Sequence, residues 1–280
     1  MAKIAPISAK HRAEYLALKV FAVIVRYLPR QSALALGRFV GRLSMRILHN
    51  RSRLAKENMS VALPELSAAE IEKNVRRNFE HIGMSVVEML CLNKFRPGSD
   101  DLQRYFELVD LDHLQNALAL KKGVIILTGH LGFWEVGQFV FPELGIPFDV
   151  VAKPMKNQLS DQFFEEIRTS FGTKVLNSRK GARLILKSLQ SQRVVAVLLD
   201  QHISPPGSVV TNFFGRKAYT TAAITRMAMK YQIPIVPVFC LRQGDNRYKI
   251  WAEPMLMLSG EGENSVVENT QKLTDIIEAA

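Results

Sequence analysis

Gly123-Val-Ile-Ile-Leu-Thr-Gly-His130-Leu-Gly-Phe-Trp-Glu135-Val-Gly137 is the stretch on which the reading of the fold turns. Val124 to Leu127 is continuously apolar and β-branched, the pattern of a strand covered on both faces in a parallel sheet. Thr128-Gly129 ends the run, and His130 stands at the strand's carboxyl mouth. From Gly132 onward the spacing of Trp134, Val136 and Phe139 predicts a helix. Ligands of open α/β sheets gather beyond the carboxyl ends of the strands. An imidazole there suits proton transfer, because the side-chain type titrates near neutrality. Glu135, five residues on, is placed to turn back from the first helical turn, fix the ring's tautomer and stabilise its protonated form. The same residues also fit a polar turn with a solvated histidine.

Working outward, strand-like runs alternate with helical ones. Strands are expected at 124–127, 148–152, 173–176, 194–199, 233–240 and 247–252. Helices are expected at 111–120, 131–141, 157–171, 180–190 and 220–231. Such alternation implies an α/β fold with a largely parallel, helix-covered sheet. A second polar group follows a buried strand at Asp200-Gln201-His202. Then come Asn212-Phe-Phe-Gly-Arg216 and Tyr219-Thr220-Thr221. This pattern suggests a loop across the crevice, with Arg216 and Lys217 facing phosphate and Thr220 or Thr221 capping a helix. Asp200 equally fits a carboxylate satisfying loop amides, and Arg216 a solvated loop charge.

The 280 residues are 48% hydrophobic and 22% charged, enough for a sizeable core. The two cysteines, Cys91 and Cys240, have apolar surroundings and no paired spacing, which argues against a disulfide framework or a zinc site. The net charge of +11 is concentrated at one end. Residues 1–60 carry twelve Lys or Arg against only Glu14 and Glu57. The basicity lies beside apolar helices rather than among stacking aromatics, so a nucleic-acid binder is a poor fit.

Tyr15 to Leu28 is hydrophobic but interrupted by Lys19 and Arg26, short and charged for a membrane span. No small-residue cleavage site follows it. Ser32 is expected to cap a second helix over 33–48, with apolar Leu34, Leu36, Phe39, Val40, Leu43 and Ile47. Arg38, Arg42 and Arg46 form a basic stripe on it. Two such helices suggest a segment in the membrane interface, its cations meeting anionic headgroups; a helical hairpin with a solvated basic face is the alternative. A polar helix over 51–58 follows. Ser67-Ala-Ala-Glu70 is a capping box opening a helix to about Leu90, and a linker near Arg96-Pro-Gly-Ser-Asp100 leads into the sheet. The domain organisation read from this is 1–50, a membrane-associating helical segment, and 51–280, an α/β domain.

Together these pieces resemble the late (secondary) lipid A acyltransferases and the wider bacterial lysophospholipid acyltransferase family. The family's His-x4-Asp/Glu block is matched by His130 and Glu135, with Phe133 where the family usually has Asn. Its Asp-Gln and Phe-Phe-Gly-Arg blocks are matched by Asp200-Gln201 and Phe213-Phe214-Gly215-Arg216. Its Pro-Ile/Val-Val-Pro strand is matched by Pro234-Ile-Val-Pro237. An arginine important in the family falls on Arg168. Relatives usually continue through a Pro-Glu-Gln-Trp and His-Arg-Arg-type tail beyond the point where this sequence ends. The first block also lacks the Phe-Leu-Thr-Leu filling of lauroyl-transferring members, which leaves room for an acceptor other than lipid A.

The resemblance implies a glycerol-3-phosphate acyltransferase-like fold and an enzyme at the cytoplasmic face of the bacterial inner membrane. Such an enzyme moves a fatty acyl chain from an acyl carrier protein or coenzyme A thioester to a hydroxyl of a lipid A precursor or related glycolipid or phospholipid. His130 would be the base, oriented by Glu135, with Arg168, Asp200, Gln201 and Arg216 binding substrate. No metal and no cofactor beyond the thioester co-substrate is implied. Alternatives on the same scaffold are acylation of a phosphatidylinositol mannoside and a non-catalytic lipid-binding protein. No Gly-x-Ser-x-Gly elbow or well-placed cysteine points to an acyl-enzyme.

Overall fold

A computed structural model describes residues 7–178, 181–244 and 247–280. It divides the chain into two compact units. One comprises the chain up to Phe95 together with Pro154–Ser170; the other comprises Arg96–Lys153 and Phe171–Ala280.

The first unit is helical: α1 (Ala9–Tyr27), α2 (Arg30–Ile47), α3 (His49–Ala62) and α4 (Ala68–Leu90), joined later by α8 (Gln158–Thr169). Ser67 caps α4 as its sequence predicts: its hydroxyl accepts from Glu70 N, and the Glu70 carboxylate accepts from Ser67 N. Ser32 does not cap α2. The helix begins two residues earlier, directly after Pro29, whose ring fixes φ and removes a donor that a helix start does not need.

Glycine sets how α2 meets α4. A Cβ on Gly37 would stand 2.7 Å from Gly83 O, and one on Gly41 would overlap Phe79 O. Ala33, Leu34, Gly37 and Gly41 are the buried positions of α2. Phe39, Val40, Leu43 and Ile47 are exposed, Phe39 by 62% and Ile47 by 66%. On α1 the exposed Leu16, Val20, Val23, Ile24 and Tyr27 follow the spacing of one helical face. Arg30 pairs with the buried Glu88 of α4 at 2.8 Å. Asn157 caps α8 and donates to His11 O at 2.9 Å, which ties α8 to α1. Among the described residues no helix is long and apolar enough to cross a membrane.

The second unit begins with α5 (Asp101–Tyr105), β1 (Phe106–Val109), α6 (Asp112–Ala119) and β2 (Val124–Thr128). A 3-10 turn at Trp134–Val136 leads into α7 (Gly137–Glu143), then β3 (Phe148–Ala152). After α8 come β4 (Lys174–Asn177), α9 (Gly181–Gln190) and β5 (Val194–Leu198). Lys180, the first residue expected for α9, lies outside the described residues. The hairpin β6 (Ser208–Phe213) and β7 (Arg216–Thr221) precedes α10 (Ala223–Tyr231), β8 (Ile235–Arg242), β9 (Tyr248–Ala252) and α11 (Gly262–Ala279).

Seven strands form one sheet in the order β1-β9-β8-β2-β5-β3-β4. All neighbours run parallel except β8 and β9. The expected alternation therefore holds, with β1, the hairpin and α11 added to it. β2 is buried at every position. Ile125 and Leu127 pack with Leu189, Ile224, Met227, Leu273 and Ile277 from α9, α10 and α11. Ile126 on the other face meets Val136, Gly137 and Phe141 across a small apolar cavity of about 40 Å³. The fully buried Asp149 of β3 is satisfied by Ser188 Oγ at 2.6 Å and Arg193 Nε at 2.9 Å, as a charge inside a core must be.

Candidate active site

β2 and β5 are adjacent and parallel, in a register that pairs Val124 with Val194 and Thr128 with Leu198. Carried two residues further, the same register sets His130 beside Asp200. The backbone holds that extension, because Leu199 N donates to Thr128 O at 3.1 Å. Each residue stands just past its strand's carboxyl end, where the ladder stops and side chains are free to meet a ligand.

The contact between them is threefold. Asp200 Oδ2 accepts the His130 backbone N–H at 2.9 Å, and Nδ1 of the ring lies 2.8 Å from Oδ1 and 3.1 Å from Oδ2. A carboxylate only accepts, so Nδ1 carries a proton, and in the neutral ring the lone pair is on Nε2. The Gln201 amide stands 3.3 Å from Nε2, the arrangement of an N–H donating to that lone pair. Trp134 meets the imidazole edge to face, with ring centroids 4.9 Å apart. The imidazole is 34% exposed and the carboxylate 20%. Nε2 is thus a basic atom with a set direction, backed by a negative charge and open to solvent.

Burial pushes the Asp200 carboxyl upward, but the hydrogen bonds from the His130 side chain and backbone outweigh it, helped by the positive charge the ring carries whenever it is protonated. The net result lies below the ordinary carboxylate value, so Asp200 remains the charged partner.

Glu135 sits differently from the sequence expectation. The chain after His130 does not enter a helix at once: Gly132 adopts φ 56°, and α7 starts only at Gly137. A Cβ on Gly132 would collide with Cys240 O, so that bend belongs to glycine alone. The Glu135 carboxylate accepts from the Gln138 side chain. The contact with Nδ1 that the sequence suggested for Glu135 is made by Asp200.

Arg216 is the first residue of β7, not part of an open loop. Phe214 and Gly215 take φ 50° and 73°, both left-handed, and close a two-residue hairpin turn that pairs Phe213 with Arg216. Phe214 N donates to Glu278 of α11 at 2.7 Å. Thr220 is inside the hairpin, where its hydroxyl meets Thr211 at 2.8 Å. Neither threonine is the cap of α10: its N-cap position is Ala222, and Thr221, one residue earlier, accepts from Ala223 N at 3.3 Å. The hairpin, α11 and Asp200 enclose a hollow of about 20 Å³. Arg168 stands in the last turn of α8, in the helical unit.

Cys240 is buried in β8, and burial raises the Cys91 thiol, which leaves it less thiolate than an ordinary cysteine. The sequence does not mark Trp134 as a wall of the site. Its position three residues before Gly137 reads as a helix face until the bend at Gly132 is known.

A family model described as bacterial lipid A biosynthesis acyltransferase matches residues 7–280. The chain belongs to that family. It is accordingly an acyltransferase. The lipid A biosynthesis lauroyltransferase of Escherichia coli (strain K12) is 29% identical over 222 residues, covering 76% of this chain and 70% of the relative. The palmitoleoyltransferase of the same organism is 26% identical over 242 residues, 86% of this chain and 78% of the relative. The phosphatidylinositol mannoside acyltransferase of Mycolicibacterium smegmatis is 26% identical over 179 residues, 62% of this chain and 57% of the relative.

Proposed function

We propose that this acyltransferase moves a fatty acyl chain from a thioester of acyl carrier protein or coenzyme A to a hydroxyl of a lipid A precursor or a related glycolipid. The observation that carries the reading is the His130–Asp200 pair at the ends of adjacent strands, in a chain of this family.

Nε2 of His130 takes the proton of the acceptor hydroxyl as its oxygen attacks the thioester carbonyl. Asp200 holds the ring and offsets the charge that forms on it. General base action of this kind contributes roughly 10²–10⁴ in rate. The carbon–sulfur bond then breaks, and the imidazolium returns its proton to the departing thiolate. Gln201, whose amide meets Nε2 here, yields that place to the hydroxyl. Glu135 and Gln138 brace the bend that carries Trp134. Arg168 and Arg216 are cations suited to phosphate on the acceptor or donor.

Residues 1–50 act as the membrane-associating segment, on the cytoplasmic face of the inner membrane. Support comes from the exposed apolar rows of α1 and α2. Each aliphatic or phenyl side chain that leaves water there contributes roughly 1.5–3 kcal/mol on full transfer. Such helices lie in the interface rather than across it.

The test is lipid mass spectrometry on cells lacking the protein, complemented by wild type or by His130→Ala. A lipid gaining one acyl chain only with wild type is expected, and its mass names acceptor and chain. A phosphatidylinositol mannoside-type acceptor would place the enzyme's use beside the mycobacterial relative. Identical lipid profiles with both proteins in the membrane fraction would overturn catalysis at His130.

A further inference from the structure

The helical unit holds a second concave site, a groove of about 500 Å³ lined by Arg42, Met45 and Arg46 of α2, His49, Ser52 and Lys56 of α3, and Glu72 and Arg76 of α4. Its charges do not cancel. Glu80 sits between Arg42 at 2.8 Å and Arg76 at 3.9 Å, and Glu72 pairs with Lys56. Four full cations against two carboxylates leave two positive charges, and His49 adds a ring nitrogen.

Arg42 and Arg46 each precede an exposed apolar residue of the same helix, Leu43 at 42% and Ile47 at 66%. Successive helical residues are about 100° apart, so the mouth of the groove borders the exposed apolar row. Ser52, also in the lining, is buried at 6% exposure.

We infer that this groove binds the phosphate of an anionic lipid headgroup, whose acyl chains lie along the row that includes Leu43 and Ile47. A phosphomonoester carries about −1.5 to −2 charges near neutral pH, close to the surplus in the groove. Arginine pairs are the side chains best matched to a phosphate's oxygens. A soluble phosphate compound would satisfy the cations equally but leaves the adjoining apolar row without an occupant. The inference rests in part on the reading of α1 and α2 as membrane-associating.

The test uses the full chain, phosphatidylcholine vesicles with or without phosphatidic acid, and inorganic phosphate as the soluble probe. Arg46→Gln/Arg76→Gln removes two charges inside the groove; Lys73→Gln/Arg77→Gln removes two from exposed positions of the same α4 region. The groove pair is expected to weaken binding to phosphatidic acid vesicles about tenfold or more, and the control pair far less. Equal losses would mean general surface attraction and overturn the inference. Vesicle binding independent of the groove, with a rise in melting temperature in inorganic phosphate that the groove pair abolishes, would assign the groove to a soluble phosphate instead. Loss of binding to acidic acyl carrier protein with vesicle binding intact would assign it to the donor and overturn the lipid assignment. If wild type bound no vesicle at all, the membrane reading would fail, and the inorganic phosphate measurement would still decide whether the groove takes phosphate.

Discussion

In the sheet unit, apolar side chains mark the interior: β2 is buried throughout, and its polar residues appear only where the strand ends. In α2 of the helical unit the relation is reversed. Apart from Leu34, the buried positions there are glycine and alanine, while Phe39, Leu43 and Ile47 face outward. The two regions use different packing chemistry. Parallel strands are held about 5 Å apart by their hydrogen bonds and fill the space above and below with branched side chains. Helices meeting through glycine approach until backbone touches backbone, and gain from contact and from displaced side chains. An apolar residue therefore has opposite meanings in the two units. In the sheet it serves the core, and along the outer row of α2 it stands exposed.

The largest expected effect tests the sheet unit. Asp200→Asn presents an amide to Nδ1 in place of a carboxylate, which permits the ring to carry its proton on Nε2 and lose its basic atom. Turnover should fall by about 10² or more. Nitrogen NMR of His130 should show the proton moving from Nδ1 to Nε2, a change that simple loosening of the loop does not produce. If Glu135→Gln caused that tautomer change and Asp200→Asn did not, the orienting role would return to Glu135.

A second experiment sets the two meanings of apolarity against each other within one unit. A Cβ on Gly83 would overlap Gly37 O and stand 2.8 Å from Gly41 N, all of it backbone that cannot rotate aside. Gly83→Ala should cost roughly 2–3 kcal/mol, in the upper range for overpacking, although alanine is the better helix former. Ile47→Ser, which removes a large apolar side chain at 66% exposure, should change stability by less than about 0.5 kcal/mol and instead weaken vesicle binding. Urea unfolding midpoints measure the first pair of values. The reverse ranking would mean that α2 packs through its apolar row.

How far the sequence could be read follows the same division. β2, β5 and β8 are legible because continuous apolar runs have few other uses. α11 is not legible in the sequence because buried threonines interrupt its apolar period. Thr270 and Thr274 are inside the protein, their hydroxyls satisfied by Val266 O and Thr270 O, which no single-sequence pattern records. The hairpin is not legible either, because Phe214 fills a left-handed turn position that asparagine or glycine ordinarily signals. At the site, His130 and Asp200 were both visible as polar residues ending apolar strands. Their pairing was not, since it depends on β5 lying beside β2, a neighbour relation between residues 70 apart. Glu135 was the carboxylate close in sequence, and Asp200 is the one close in space.

The smallest effect concerns pH, and it sharpens the account of that pair. Asp200 is held below the ordinary carboxylate value in the folded chain, so folding favours its charged form. A group of this kind contributes stability fully above its unfolded pKa, about 3.9, and loses it as pH falls through the lower folded value. The melting-temperature difference between wild type and Asp200→Asn should have no contribution from Asp200 titration between neutrality and about pH 5. It should shrink only in the acid range below that. The carboxylate is partly exposed, so the change should be modest. It is best read as a difference between the two proteins at matched ionic strength, since acid affects the rest of the fold in both. Asp200 titration observed by carbon NMR above the ordinary carboxylate range would mean that burial outweighs the His130 hydrogen bonds. The carboxylate would then be too weakly held in its charged form to fix the proton on Nδ1.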